Sequence, residues 1–378
     1  MSTVGVLKES AADERRVSLI PDAASKLSGF KMLVESGAGE GALYPDWTYV
    51  QNGAEIAKDG RTVCENADIL AKVQPPTADE ARSLKEGAAV VSFLFPTMNL
   101  EVVRTLSERR VSAFAMELVP RISRAQPMDA LSSQATVSGY KAVLLAAGSL
   151  PKFFPMLMTA AGTIPPARVL IVGVGVAGLQ AIATARRLGA LVEAYDIRPA
   201  VKEQVESLGA KFVELPVATK EAQDAGGYAK AQTQEFYQKQ QELLAERTKA
   251  SNVVITTALV PGKKAPVLVS KESVSRMEPG SVIVDLAAEQ GGNCELTEPG
   301  KTVIKNGVMI QGPLNLPSSM APQASALYSR NVTSFLQILI RGGAPNIDMN
   351  DEIIRGMLVT HKGEVLHQPT KDAMKGVS

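Results

Sequence analysis

The apolar positions of this chain come in short runs separated by polar stretches with helical spacing. Runs of mostly aliphatic residues fall first at 4–7, 31–35, 67–73, 88–95 and 111–117. They recur at 169–172, 191–195, 211–215, 253–257, 282–286 and 308–311. Such runs, rich in β-branched side chains, suit strands buried on both faces. Strand alternating with helix argues for parallel sheets covered on both sides by helices. The expected class is α/β, with two Rossmann-like domains whose parallel sheets are separated by a cleft. An amphipathic helix over 324–339 can return to the first domain, and 357–366 reads as a closing hairpin that turns at Lys362-Gly363. The domain boundaries expected are 1–132 plus 320–378 for the first, and 133–319 for the second.

Between these series lie stretches of other kinds. Residues 121–140, RISRAQPMDALSSQATVSGY, are dense in hydrogen-bonding side chains and fall at the junction of the two domains, where ligand sites are favoured. A helix begins near Met128 and continues over 140–147. Residues 153–166 read as an apolar, proline-interrupted connection. Residues 216–249 are long, polar and rich in Gln, Lys and Glu; a loop of that length is usually a lid or disordered. The glycine-rich GAGEGA after residue 36 lacks a strict phosphate-loop spacing and reads as the cap of a strand.

One stretch carries specific chemistry: RVLIVGVGVAGLQAIATARRLGALVEAYD, residues 168–196. A strand is followed by Gly173, Gly175 and Gly178 in G-x-G-x-x-G spacing, then a helix, then a second strand ending at Asp196. Gly173 permits the tight turn, Gly175 leaves room for a pyrophosphate to approach the backbone, and Gly178 permits close packing of the helix on the sheet. The helix N-terminus, with Val176 and Ala177 in its first turn, offers unpaired N–H groups and the positive end of a dipole to phosphates. Asp196 is placed to accept both hydroxyls of an adenosine ribose and to repel a 2′-phosphate, which favours NAD over NADP. Ile197 and Arg198 follow it, and Arg198 softens that preference. The full strand-turn-helix-strand-acid order is far more specific than the glycines alone. The loops TTALVPG, with Thr257, Ala258 and Leu259, and AAEQGGN follow two further strands at the edge where open α/β sheets bind ligands.

Composition narrows the classes. The chain has 378 residues, more than one compact core usually holds, so two domains are expected. Net charge is +1, basic runs are absent and aromatic residues are sparse, which argues against a nucleic-acid partner. Cys64 and Cys294 lack metal spacing, so no metal is expected, and they fit a reducing compartment. The N-terminus has no signal-peptide core, and the longest uncharged stretch, 169–185, is the glycine motif and no membrane span. His361 and His367, the two histidines, both lie far from that motif in sequence.

At RISRAQ…MDALSS, GVGVAGLQAIATA, GGYAK and ITTALVPGK the chain resembles the NAD(H)-binding component, often called domain I, of proton-translocating nicotinamide nucleotide transhydrogenase. The resemblance runs from KES…RRVSLIP to VTHKGEVLH, nearly the whole chain. It implies hydride transfer between NAD(H) here and NADP(H) on a partner subunit, coupled to proton movement through separate transmembrane subunits. It further implies a homodimer, cytoplasmic, peripheral to the inner membrane through its partners. Carried over onto matching positions, Arg121 lies near the nicotinamide and phosphates, and Gln126 reaches towards the NADP-binding partner. Asp129 and Ser132 hold the carboxamide, and Tyr228, between Gly227 and Ala229, belongs to a mobile loop that closes over NAD. An Asp and a Ser three residues apart can supply an acceptor and a donor from one side of a helical turn. Each position also has a plain structural reading: an inter-domain salt bridge for Arg121, helix-start residues for Asp129 and Ser132, a solvated loop for Tyr228. Pro127 stands where the family has serine, so it offers no backbone N–H there.

Alanine dehydrogenase is similar in pattern. Arg16 and Lys72 match its substrate-binding residues, but its catalytic histidine falls on Phe95 and its aspartate on Glu289. Oxidising a C–N or C–O bond requires a general base, which a phenyl ring cannot supply. Exchange between two nicotinamides needs only rings in contact with water excluded. Arg16 and Lys72 are then structural residues or an inherited remnant. A third reading, a non-catalytic NAD sensor, is disfavoured by Tyr228 and the RISRAQ segment.

Overall fold

The computed structural model describes residues 2–26, 30–215, 233–259 and 264–376. The chain forms two compact units, Met1–Gln134 with Pro317–Ser378, and Ala135–Leu316. The division falls inside one helix, Ala130–Ser149.

The first unit holds an eight-stranded sheet. Ser2–Val6 pairs in parallel with Phe30–Glu35 on one side and Ile69–Ala71 on the other. Glu55–Ala57 extends the first side; Ala89–Ser92 and Ser112–Ala115 extend the second. Successive side chains alternate across the sheet. Ile69 and Ala71 therefore enter one core with Tyr328 and Phe335, while Leu70 enters the other with Leu84 and Leu106. The first core is roofed by the helix Ala321–Leu339, whose Tyr328, Val332, Phe335, Leu336 and Leu339 form an apolar stripe at helical spacing. Phe335 packs on Phe114 with ring centroids 5.1 Å apart. The hairpin expected near 357–366 is present: Leu358–His361 joins the sheet antiparallel to Ser112–Ala115 and turns at Lys362 and Gly363 to Glu364–Val365.

In the second unit the strand order is Lys211–Phe212, Leu191–Tyr195, Arg168–Val172, Val253–Thr256, Val282–Asp285, Val308–Gln311, Thr302–Lys305. All neighbours pair in parallel except the last two. The chain winds outward from Arg168–Val172 and then returns to lay Val253–Thr256 on its other side. That reversal opens a crevice at the carboxyl ends of the two strands, the usual ligand position in such sheets. The first unit has the same reversal between Ser2–Val6 and Ile69–Ala71.

Some elements depart from the sequence expectation. Residues Gln234–Lys249, read as loop, are a helix. Its buried Phe236, Gln240, Leu244 and Thr248 recur every fourth residue, and Lys239 pairs with Glu235 at 2.7 Å, so a thin stripe in a polar segment suffices. The connection at 153–166 contains an exposed hairpin, Leu157–Thr159 with Gly162–Ile164. Edge strands Glu55–Ala57 and Thr302–Lys305 are too short and too exposed to leave an apolar run.

Candidate functional site

In the second unit the glycine turn sits at the strand reversal. Gly173 has φ +97°, and a Cβ there would lie 2.8 Å from Thr257 Oγ1 and 2.9 Å from the Ala258 nitrogen. Thr257 Oγ1 donates to the Gly173 carbonyl at 2.8 Å, stitching the two switch-point strands together. A Cβ on Gly178 would lie 2.0 Å from the Gly173 oxygen, so this glycine is required by the turn itself more than by the sheet. Gly175, by contrast, faces open space. The helix Val176–Arg187 starts there with no side-chain cap. Its first N–H groups are therefore directed at whatever occupies the crevice. Val176 and Leu259 are exposed, and Ala177, Thr257 and Ala258 half-buried.

Asp196 closes the turn from the neighbouring strand. Its Oδ2 accepts from the Val174 nitrogen at 2.7 Å. Arg198 grips the same carboxylate through Nε at 2.8 Å and Nη2 at 2.8 Å, and its backbone N–H, beyond Ile197, adds a third bond at 2.9 Å. Asp196 and Arg198 thus form a partly buried pair.

Sequence reasoning missed the supports beneath this turn. Asp285, fully buried, accepts from Thr256 Oγ1, Thr297 Oγ1 and the backbone nitrogens of Ala287, Asn293 and Cys294. Asn293 then accepts from the Ala258 nitrogen and donates to the Ala258 and Pro266 carbonyls at 2.8–2.9 Å. The available signal was a polar residue, Asp285, ending an otherwise apolar strand. Gly139 was also missed: a Cβ on it would lie 2.1 Å from the Ala177 oxygen, so it lets its helix touch the first turn of Val176–Arg187.

In the first unit the polar segment forms a short 3-10 turn, Ser123–Met128, containing Pro127. Arg121 and Gln126 are exposed. Asp129 precedes the helix Ala130–Ser149 and caps it: Oδ1 accepts from the Ser132 nitrogen at 2.9 Å and Oδ2 from Ser132 Oγ at 2.6 Å. Arg124 anchors the turn through a two-pronged contact with Asp351 at 2.8 and 2.9 Å. Gly227, Tyr228 and Ala229 lie outside the described residues.

At the first unit's own strand reversal lies a buried ionic cluster. Lys72 reaches Glu9 at 3.5 Å and Glu80 at 3.1 Å, and Arg16 is held by both oxygens of Glu14 at 2.6 and 2.8 Å. Burial works to raise the Glu14 carboxyl, but the Arg16 contacts outweigh it and bring it down to about 2. Burial pushes Glu9 up to about 7 against the pull of Lys72. Beside the cluster, Phe95 has φ +42° and stacks on Phe93. Its N–H donates to Glu117, a half-buried residue whose carboxyl is raised to about 7 by desolvation, with its backbone hydrogen bonds acting the other way. His361 bonds Ser112, the first residue of its strand, and His367 bonds Thr370. In the second unit Glu289 accepts from the Asn315 nitrogen. Among the described residues no helix is long and apolar enough to cross a membrane.

A doubly wound sheet with a glycine turn at its reversal and an acid at the end of the adjacent strand is the architecture of a dinucleotide-binding α/β protein. The family model described as alanine dehydrogenase/PNT, N-terminal domain, matches residues 5–138, and that for the C-terminal domain matches 142–368. The chain belongs to the alanine dehydrogenase/PNT family. It is 48% identical over 374 residues to a protein of Rhodospirillum rubrum named as the first part of NAD(P) transhydrogenase subunit alpha, covering 96% of this chain and 97% of that one. An alanine dehydrogenase of Methanococcus maripaludis is 30% identical over 382 residues, covering 98% and 96%. The crystal structure of transhydrogenase from Sinorhizobium meliloti superposes with a TM-score of 0.84 at 42% identity, covering 97% of this chain and 99% of that one. The chain thus sides with the transhydrogenases, an oxidoreductase group, over the alanine dehydrogenases.

Proposed function

We propose that this chain is the NAD(H)-binding component of a proton-translocating transhydrogenase. It exchanges hydride with NADP(H) held by a partner subunit and acts as a homodimer. Its partners include transmembrane subunits on whose cytoplasmic face it docks. Phe95 carries this reading: by the resemblance to alanine dehydrogenase it falls where that enzyme has its catalytic histidine, and a phenyl ring cannot accept a proton.

A dinucleotide fits the second unit on three grounds: an uncapped helix N-terminus, open space over Gly175, and a carboxylate at Asp196. Gly173, Gly175, Val176, Ala177 and Gly178 would hold the pyrophosphate. Asp196, with Ile197 and Arg198, would read the adenosine ribose, and Thr257, Ala258 and Leu259 would line the crevice beyond it. Tyr228, with Gly227 and Ala229, is proposed to close over the cofactor. NAD(H) supplies the hydride chemistry when bound. Arg121, Gln126, Asp129 and Ser132 would orient the nicotinamide end and present it to the partner. No proton need be moved, so the engagement of Arg16 and Lys72 by Glu14, Glu9 and Glu80 costs the reaction nothing.

The test uses the purified chain. With NAD and alanine, or NADH, pyruvate and ammonia, no turnover is expected. Adding the NADP(H)-binding partner should start hydride exchange between NADH and an NADP analogue of shifted absorbance. Alanine-dependent reduction of NAD by the chain alone would establish the dehydrogenase instead.

A further inference from the structure

Arg16 has no proton to move in hydride exchange, yet it is only 4% exposed and firmly held. Its Nη1 donates to Gln134 Oε1 at 2.8 Å. A guanidinium can only donate, so the oxygen end of the Gln134 amide must face Arg16 and the NH2 end must face away. Gln134 Nε2 donates to Ser133 Oγ at 3.2 Å and to the Ala324 carbonyl at 3.1 Å. The Ser133 hydroxyl, accepting from Gln134, directs its proton to the nearer of its two acceptors, Asn331 Oδ1 at 2.7 Å rather than the Ala130 carbonyl at 3.1 Å. Asn331, with its oxygen engaged, turns Nδ2 to the Pro127 carbonyl at 2.8 Å. Every bond runs the same way, from a permanent cation to a carbonyl beside Gln126 and Asp129. Reversing one amide would oppose like ends in a largely buried place, where an unmade hydrogen bond is costly.

We infer that Arg16 is a positioning residue for hydride exchange: through Gln134, Ser133 and Asn331 it polarises a hydrogen-bond chain that fixes the 126–132 segment. The inference rests on the proposal that this segment meets the nicotinamide. Lys72 stands outside the chain.

Two near-isosteric variants test it in the assembled transhydrogenase complex. Gln134→Glu keeps the contact with Arg16 but cannot donate to Ser133, which must then turn its proton back. Asn331→Asp removes the donor at the Pro127 carbonyl. Each should lower the rate of exchange at saturating NADH by about tenfold or more, the scale of a small misplacement of reacting groups. The Kd for NADH should stay within about twofold, because most of its affinity would come from residues 173–198. Ser133→Ala should slow exchange in the same way, and Ser133→Thr, which restores the hydroxyl, should recover it. A merely structural role would lower NADH affinity and thermal stability together with the rate. Exchange within about twofold of the parent in folded Gln134→Glu and Asn331→Asp would overturn the inference, as would a threonine variant no faster than the alanine one. If the two acidic variants do not fold, the serine pair decides. Absence of exchange in the parent complex would sink this inference and the transhydrogenase reading together, whereas unslowed variants sink this inference alone.

Discussion

Glu117 is a carboxyl that the fold resists ionising. It sits half-buried just past the strand Ser112–Ala115, and its partners are the N–H groups of Leu94 and Phe95. Its folded value of about 7 lies above the ordinary 4.5, so between those limits the folded chain holds a proton that the unfolded chain has lost. The sign follows: this group favours the folded state below its ordinary value, and the advantage is lost as pH rises through about 7. Unfolding by urea at pH 5 and pH 8 should show a fall in stability, smaller in Glu117→Gln by on the order of 2–3 kcal/mol. Glu9 contributes with the same sign, so the fall should persist in part; an unchanged fall would refute the account. At this scale the sequence was readable only where partners are close along the chain. Asp129 and Ser132 lie within one turn, and their capping geometry follows from the spacing. Asn331 and Gln134 carry no such mark, because Asn331 meets Pro127 204 residues away along the chain and Gln134 meets Arg16 118 residues away.

The elements were legible in proportion to their burial. Leu191–Tyr195 and Val308–Gln311 follow the apolar runs to the residue, because buried Val192, Ala194 and Tyr195 mark the one and buried Val308 and Ile310 the other. The helix Gln234–Lys249 escaped, since most of its surface is polar and only one residue in four is inside. Contacts between elements were the least legible. Gly139 looks like a weak point in a helix, yet its missing Cβ is what admits the Ala177 carbonyl. Gly139→Ala should force the two helices apart, at about 1–3 kcal/mol. The midpoint of thermal unfolding should fall, and the Kd for NADH should rise as the first turn of Val176–Arg187 shifts. A variant with parental melting and affinity would mean that the helices separate without cost.

For the molecule as a whole, the homodimer is the proposal most open to direct test. The hairpin at 157–164 leaves Met158 79% exposed, with Phe153, Met156 and Ile164 exposed as well. Apolar groups so gathered suit a partner surface better than water. Met158→Glu should shift the chain towards monomer in sedimentation, without change in its fold; an undiminished dimer would exclude the hairpin from the contact. The division of the chain has a further consequence, for its synthesis. Ala135–Leu316 is continuous, whereas the other unit needs Pro317–Ser378 to supply Tyr328, Phe335 and the strand Leu358–His361. On the ribosome, where domains close as their residues emerge, the unit that starts second is finished first. The one that starts first waits with a bare apolar sheet face, a natural client for a chaperone until Pro317–Ser378 has emerged.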